Sequence, residues 1–339
     1  MNPPNQAVST VRLGSTGPQV FPIALGCMGM SGMYGPADEA ESIATIHAAL
    51  DLGINVLDTG DFYGQGHNEM LIGRAIADRR NRALLSVKFG ALRGPDGSWG
   101  GMDTRPVAIK NFLSYTLTRL GVDHVDIYRP ARLDPNVPIE DTVGAIADLK
   151  KAGYVRFIGL SEVGAETLRR AQAVHPIVDL QIEYSLVSRG PEDKIIPVLR
   201  ELGIAMTAYG VLSRGLLAGS RPTAPGDFRA YLPRFAGDNG AKNQRLADAL
   251  ARAAQERGVS PVALAIAWVI SKGKDIIPVI GARTRKQLAE IPAALGMRLT
   301  VDELNRIEAA VPVAAVAGPR YQEEQMKHLD SELGPLKPQ

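Results

Sequence analysis

Short, continuous apolar runs alternate along the chain with longer stretches whose apolar positions recur every three or four residues. The runs predict buried strands over residues 23–26, 55–58, 84–89, 126–128, 156–161, 179–184, 204–209 and 276–280. Helical spacing fills the intervals: in 38–52, Ile43, Ile46, His47 and Leu50 fall on one face. Further helices are predicted to begin near Asn68, Thr104, Pro138, Ala165, Asp193 and Pro261, several with the Asn, Asp, Thr or Pro that suits a helix start. Strands this short and apolar, each followed by a helix, predict a parallel sheet with both faces dry. Eight such units favour closure into a (β/α)8 TIM barrel over an open doubly wound sheet. The open sheet would usually carry a GxGxxG turn after its first strand, and Gly26-Cys27-Met28-Gly29-Met30-Ser31-Gly32 has a different spacing.

Before the barrel, 11–14 and 19–21 flank a glycine turn and predict an N-terminal β-hairpin. Residues 219–241 break the rhythm with prolines, glycines, arginines and aromatics, as a functional lid or a disordered stretch would. Additional helices are expected over 244–257 and 261–271, before the eighth strand, and over 300–311 with Thr300 as N-cap. Residues 312–339 read as a polar tail. No composition shift marks a boundary, so residues 1–339 are expected to form a single domain, the barrel taking up 11–311.

Composition narrows the classes. With 339 residues, 45% hydrophobic and 22% charged, the chain can bury a large core. A formal net charge of +2 provides no global attraction to nucleic acid or anionic membrane, so an anion site would have to be local. Cys27 is the only cysteine, which excludes an internal disulfide framework and a multi-cysteine metal site. It has no evident base nearby, and His47 and His67 are too isolated to hold a metal. Residues 1–10 lack the features of a secretory signal, and the most apolar run, 262–270, is too short to span a bilayer. A cytoplasmic protein without membrane partners is expected.

In a barrel of this kind the active site lies at the C-terminal ends of the strands. The polar residues predicted there are Asp58 and Tyr63 after the second strand, Lys88 in the third, Ser161 and Glu162 after the fifth, Gln181 and Glu183 in the sixth, and Tyr209 at the seventh. Lys88 interrupts the apolar run 84–89, and a lysine inside a barrel must be paired; Asp58 on the neighbouring strand is the obvious partner. An ammonium beside a phenol would lower the pKa of Tyr63 and make it a better proton donor. The same residues also fit a structural ion pair beside a packing tyrosine.

From 11 to 311 the chain resembles the aldo-keto reductase superfamily. The resemblance is carried, in order, by GINVLDTGDFYGQGHNEMLIG, LSVKFG, VPIEDTVGAIADLKKAGYVRFIGLSE, LQIEYSL, TAYGVLSRGLLAG and IPVIGARTRKQLAE. It implies a (β/α)8 barrel that binds NADPH without a Rossmann domain and reduces aldehydes and ketones to alcohols. Asp58, Tyr63 and Lys88 match three members of the family's catalytic tetrad. The fourth is usually a histidine, and Ala131 occupies its place in Asp126-Ile127-Tyr128-Arg129-Pro130-Ala131-Arg132-Leu133-Asp134-Pro135. A water, or the guanidinium of Arg129 or Arg132, would then have to fill the vacated space. The alternative is an NADPH-binding regulatory or interaction protein with weak or lost catalysis.

The resemblance also implies the cofactor residues. Gly26 and Met28 follow the first strand. Ser161, Glu162 and Gln181 are expected at the nicotinamide carboxamide, although Glu162 stands where many relatives have asparagine. Tyr209 is expected to stack on the nicotinamide ring. Val211, Leu212, Ser213, Gly215 and Leu217 belong to a loop expected to hold the pyrophosphate through backbone NH groups. Gly281, Arg283, Thr284 and Gln287 begin the last barrel helix, where Arg283, Arg285 and Lys286 suit a 2′-phosphate and favour NADPH over NADH. Glu290 matches the adenine pattern, but Ile291 replaces the usual asparagine after it. The expected partner is a small-molecule carbonyl substrate. Loops 92–104, 129–135 and 219–239 would choose it, Trp99 either lining the cleft or sitting in a surface turn.

Overall fold

The computed structural model describes residues 9–222 and 226–332. The chain opens with an antiparallel hairpin, β1 (Val11–Arg12) and β2 (Gln19–Val20), then enters the barrel with β3 (Ala24–Gly26), β4 (Val56–Gly60) and β5 (Leu84–Phe89). A second small hairpin, β6 (Ala91–Arg93) and β7 (Trp99–Met102), rises from the loop after β5. The remaining barrel strands are β8 (Val125–Pro130), β9 (Val155–Ser161), β10 (Ile177–Glu183), β11 (Ala205–Tyr209) and β12 (Ile276–Gly281). These eight close on themselves in chain order, every pair parallel, with β12 returning to β3. The expected TIM barrel is present.

Around it run α1 (Glu39–Asp51), α2 (His67–Ile76), α3 (Pro106–Leu120), α4 (Ile139–Lys151), α5 (Ala165–Val174), α6 (Pro191–Leu202), α7 (Gly237–Glu256) and α8 (Pro261–Ser271). After β12 come α9 (Arg285–Leu288), α10 (Ile291–Leu295), α11 (Val301–Ala310) and α12 (Glu323–Met326). Local chemistry sets several starts. Asp38 caps α1 through Glu41 N, Ser260 caps α8 ahead of Pro261, and Thr300 with Glu303 forms a reciprocal capping box on α11.

The barrel is a filled core. Leu13 and Val20 of the first hairpin pack with Val56, Ile127, Val178 and Ile277 and close its N-terminal end. Ser15 N donates to Gly203 O at 2.7 Å and ties the hairpin to the barrel floor. The opposite end is left for polar side chains. All four non-glycine residues with left-handed backbone among the described residues, Gln65, Glu162, Ser213 and Arg214, sit in loops that follow β4, β9 and β11 at that mouth. Such conformations cost on the order of 1 kcal/mol each and persist where the surroundings impose them.

Two expectations need correction, and the tail gains a description. Asp58 lies within β4, two residues before its end, because the strand continues through Gly60. The helix expected to begin at 244 starts at Gly237, so the irregular segment is shorter than 219–241; its residues 223–225 lie outside the described ones. What precedes α7 is organised by Arg229, which donates to Asp227 at 2.6 Å, Ser220 Oγ at 3.0 Å and Arg214 O at 2.9 Å. The tail, of which 333–339 lie outside the described residues, folds back over the barrel mouth.

Candidate active site

At the mouth, neighbouring strands bring three predicted residues together. In register, Gly60 of β4 faces Lys88 of β5, and Asp58 faces Ser86. Lys88 Nζ donates to Asp58 Oδ1 at 2.6 Å, while Ser86 Oγ and Gln181 Nε2 donate to Asp58 Oδ2 at 3.1 and 2.7 Å. The ion pair is buried, which is tolerable only because its polar atoms are bonded. Gln181, expected at the carboxamide, is thus a partner of Asp58.

Tyr63 follows β4 in a short 3-10 turn and is 8% exposed. Lys88 Nζ lies 5.2 Å from the centre of its ring. Burial, then the charge of Asp58, raises the phenol well above its ordinary pKa, with Arg132 acting the other way. The expectation of a lowered pKa is therefore corrected: desolvation of a phenolate here outweighs the nearby cations. Burial also pushes the Lys88 ammonium down, against the pull of Asp58.

The two arginines proposed for the histidine's space part company. Arg129 is fully buried in the barrel, its Nη2 2.9 Å from Asp179 Oδ2 and its Nη1 3.4 Å from Thr207 Oγ1. A Cβ on Gly159 would lie 2.4 Å from Asp179 Oδ1 and 2.9 Å from Arg129 Nε, so only glycine admits this pair. Arg129 is committed below the site. Arg132 instead folds over the mouth, its Nη1 donating to Ala131 O at 2.6 Å and its Nη2 to the Tyr321 hydroxyl at 3.3 Å. Ala131 itself is buried.

Sequence reasoning missed Arg320 and Tyr321. Arg320 grips Glu162 with both terminal nitrogens, at 2.9 and 2.8 Å. The Tyr321 hydroxyl lies 3.0 Å from that of Tyr209, and Arg214 lies 4.6 Å over its ring. No period or motif in 312–332 marks these residues; the cation-aromatic pair Arg320-Tyr321 was the only available signal.

The residues flanking Tyr63, Phe62 and Gly64, line a cleft of about 350 Å³ together with Met33, Phe228, Tyr231 and Leu232 and with the polar Gln65, Gln322 and Gln325; Tyr63 itself is not in the lining. The hairpin β6–β7 contributes Arg93 and Gly97 to its wall. Trp99 is not in the lining; it is 40% exposed beneath Arg93.

The cofactor positions can be tested by their unsatisfied atoms. Ser161 Oγ and Ser213 Oγ are buried without a hydrogen-bond partner, one at the end of β9 and the other in the loop after β11. Buried hydroxyls are usually satisfied, so two orphans at predicted ligand positions fit a polar group entering there. Elsewhere the fit differs from the expectation. The NH groups of Ser213 and Gly215 are already bonded to Gly210 O and Leu212 O, and Val211 and Leu217 are buried. Gly26 and Gly281 face each other across β3 and β12, with Met28 in a 3-10 turn after β3.

Near α9, Arg283 donates to the carbonyls of Tyr34 and Pro36, while Arg285 pairs with Glu41 at 2.8 Å. Thr284 Oγ1 accepts from Gln287 N, and Gln287 Oε1 from Arg283 N. Glu290 accepts from Ser260 Oγ. Among the described residues no cluster of His, Cys, Asp and Glu could hold a metal ion, and no helix is long and apolar enough to cross a membrane.

An eight-stranded parallel barrel with a buried Asp-Lys pair and a tyrosine at its C-terminal mouth defines a class of oxidoreductases that act on carbonyl groups with a nicotinamide cofactor. The sequence profile of the Aldo/keto reductase family matches residues 22–312, and the chain belongs to that family. It is 38% identical over 323 residues to "Probable aldo-keto reductase 1" of Glycine max, a match covering 93% of this chain and 92% of that protein. Among solved structures, the glycerol dehydrogenase AKR11B4 from Gluconobacter oxydans superposes with a TM-score of 0.79 at 28% identity, over 98% of this chain and 100% of that one. The holo form of aldo-keto reductase AKR11C1 from Bacillus halodurans gives 0.75 at 26%, over 94% and 99%.

Proposed function

We propose that the protein reduces an aldehyde or ketone to an alcohol with NADPH, Tyr63 delivering the proton. The observation that carries this reading is the grouping of Tyr63 with the buried Asp58–Lys88 pair at the C-terminal mouth of the barrel, on a turn whose neighbouring residues Phe62 and Gly64 line an open cleft. The cofactor, when bound, supplies the hydride to the carbonyl carbon. Ser161 and Ser213 would offer it their unpaired hydroxyls, and Tyr209 an aromatic face.

Tyr63 Oη holds the proton that the reduced carbonyl oxygen must receive. Because burial disfavours its phenolate, the proton stays on the oxygen at neutral pH until an alkoxide develops close by. Lys88 and Arg132 then offset the charge left on Tyr63. Asp58 keeps Lys88 protonated and in place. In this reading Arg132, rather than the committed Arg129, takes over the histidine's task of orienting the carbonyl, its guanidinium lying beside Ala131 and bonded to the Ala131 carbonyl at the mouth. The lining combines Met33, Phe62, Phe228, Tyr231 and Leu232 with Gln65, Arg93, Gln322 and Gln325, which suits a carbonyl compound with both an apolar body and polar substituents.

The test follows NADPH absorbance with a panel of aldehydes and diketones. Tyr63→Phe should lower kcat by about 100-fold or more while changing the Kd for NADPH by less than about 3-fold. Arg132→Leu should lower kcat by about 10-fold or more, and Arg132→Lys should recover part of it. Turnover by Tyr63→Phe at the unchanged rate would remove Tyr63 from this role. The second reading, a regulatory NADPH-binding protein, is favoured by Ala131 alone; tight NADPH binding without turnover across the panel would support it.

A further inference from the structure

We propose that Arg320, on the C-terminal segment, is a positioning residue of the cofactor site: as the counter-ion of Glu162 it fixes the carboxylate that holds Tyr209, so that NADPH binding depends on a segment outside the barrel. The proposal rests on the reading above, in which Tyr209 borders the nicotinamide.

Glu162 is completely buried, and its backbone is left-handed at φ 54°. Its carboxylate accepts from five donors. Oε1 receives Glu183 N at 3.0 Å, the Tyr209 hydroxyl at 2.7 Å and Arg320 Nη1 at 2.9 Å. Oε2 receives Arg320 Nη2 at 2.8 Å and Ser331 Oγ at 2.7 Å. An ionised carboxylate offers about four lone-pair sites, so this one has no acceptor capacity left for a carboxamide. Its work is directed at Tyr209 and at the tail.

The charge balance singles out Arg320. A second buried glutamate, Glu183, is served by Arg214 at 3.1 Å and Arg234 at 3.2 Å. Among the described residues Arg320 is the one cation in direct contact with Glu162, while also standing 3.5 Å from Glu183 and 2.8 Å from Glu332. Arg132 acts on Glu162 only from a distance. Without Arg320, a buried carboxylate would keep an unpaired charge or take up a proton. The ionised, unpaired carboxylate is driven towards water and away from the Tyr209 hydroxyl, which frees the aromatic face; a proton on Glu162 removes that drive.

The guanidinium is delivered by tethers on both sides. Asn243 exchanges two hydrogen bonds with Ala317, at 2.8 and 2.9 Å. Gln322 donates to Tyr231 O at 2.9 Å, and Asp330 accepts from Gly164 N at 2.7 Å. Such a fixed approach suits a bidentate arginine and would not suit a flexible ammonium as well.

The experiment measures NADPH Kd by fluorescence titration at pH 6 and pH 8, together with the Tm of the cofactor-free protein, for the unchanged chain, Arg320→Gln, Arg320→Lys and Arg320→Gln combined with Glu162→Gln. Arg320→Gln should weaken binding by about 10-fold or more at pH 8 and by less at pH 6, where a proton on Glu162 substitutes for the lost cation. Of the groups facing that carboxylate, Arg132 and Tyr209 are raised above their ordinary pKa values, and Glu183 is lowered, burial being outweighed by its arginines, so these three keep their charge states between the two pH values. The double variant, with no buried charge to compensate, should return to within about 3-fold of the unchanged protein and lose the pH dependence. Arg320→Lys should lie between. Unchanged affinity in folded Arg320→Gln, or a loss that is independent of pH and not relieved in the double variant, overturns the proposal and leaves the reductase reading intact. Should Arg320→Gln fail to fold, a double variant that folds and binds supports the proposal, and one that folds but does not bind overturns it. Absence of NADPH binding by the unchanged protein overturns both.

Discussion

Lys88 Nζ stands 2.6 Å from Asp58 Oδ1 inside the barrel, with side chains only 5% and 7% exposed. A buried pair of this kind is worth little when compared with a hydrophobic replacement, yet removing one partner strands the other. Asp58→Asn and Lys88→Met should therefore each destabilise the fold by about 3–5 kcal/mol, and the double variant by less than their sum. Urea denaturation of the three proteins measures this. Additive losses would mean that the two charges do not depend on each other.

Asp58→Asn has a second consequence, in the pH profile. Burial already pushes the Lys88 ammonium below its ordinary pKa, and Asp58 is the main group holding it up. With that carboxylate neutralised, Lys88 should lose its proton at lower pH. The reductase rate of the variant should then fall on the alkaline side at a pH where the unchanged protein remains active. A parallel pH profile for the two proteins would exclude the ammonium from the reaction.

Asp61 offers a stability test independent of catalysis. Burial, then the charge of Glu69, raises its carboxyl from 3.8 to about 7, and its Oδ1 is buried without a partner. A carboxyl whose folded pKa is raised favours the folded state while protonated. Its contribution is complete below about pH 4 and is lost as the pH rises to about 7. Asp61→Asn should thus gain stability over the unchanged protein as pH increases through that window, by roughly 4 kcal/mol at pH 8. Thermal unfolding at pH 5 and pH 8 checks the sign; a constant difference between the two proteins would be evidence against a shifted Asp61.

The barrel was legible because its strands are short, largely apolar runs, and Lys88 stood out as a charge in the middle of one of them. A lysine in β5 and an aspartate in β4 meet by the register of adjacent parallel strands, a consequence of connectivity alone. What periodicity could not convey was the extent of desolvation, which reverses the expected direction of the Tyr63 shift. Nor could it reveal Arg320, whose partner Glu162 is 158 residues away in sequence and whose own segment has no regular pattern. The hairpin β6–β7 was hidden similarly: its strands are short, and glycines occupy positions where β-branched residues would have signalled pairing.

In the proposed reading, where the 2′-phosphate of NADPH meets α9, preference over NADH would depend on how free the cations there are. Arg283 is occupied with the carbonyls of Tyr34 and Pro36, and Arg285 is paired with Glu41. Lys286 is exposed on the same turn. If a 2′-phosphate is read here, Glu41 competes with it for Arg285. Glu41→Gln should then tighten NADPH binding by about 3-fold at low salt and leave NADH unchanged, since an exposed ion pair is weak and screened. Lys286→Ala should weaken NADPH binding by a similar factor, again without affecting NADH. Titrations with both cofactors at two ionic strengths give the answer. Equal responses of NADPH and NADH to either substitution would place the 2′-phosphate elsewhere.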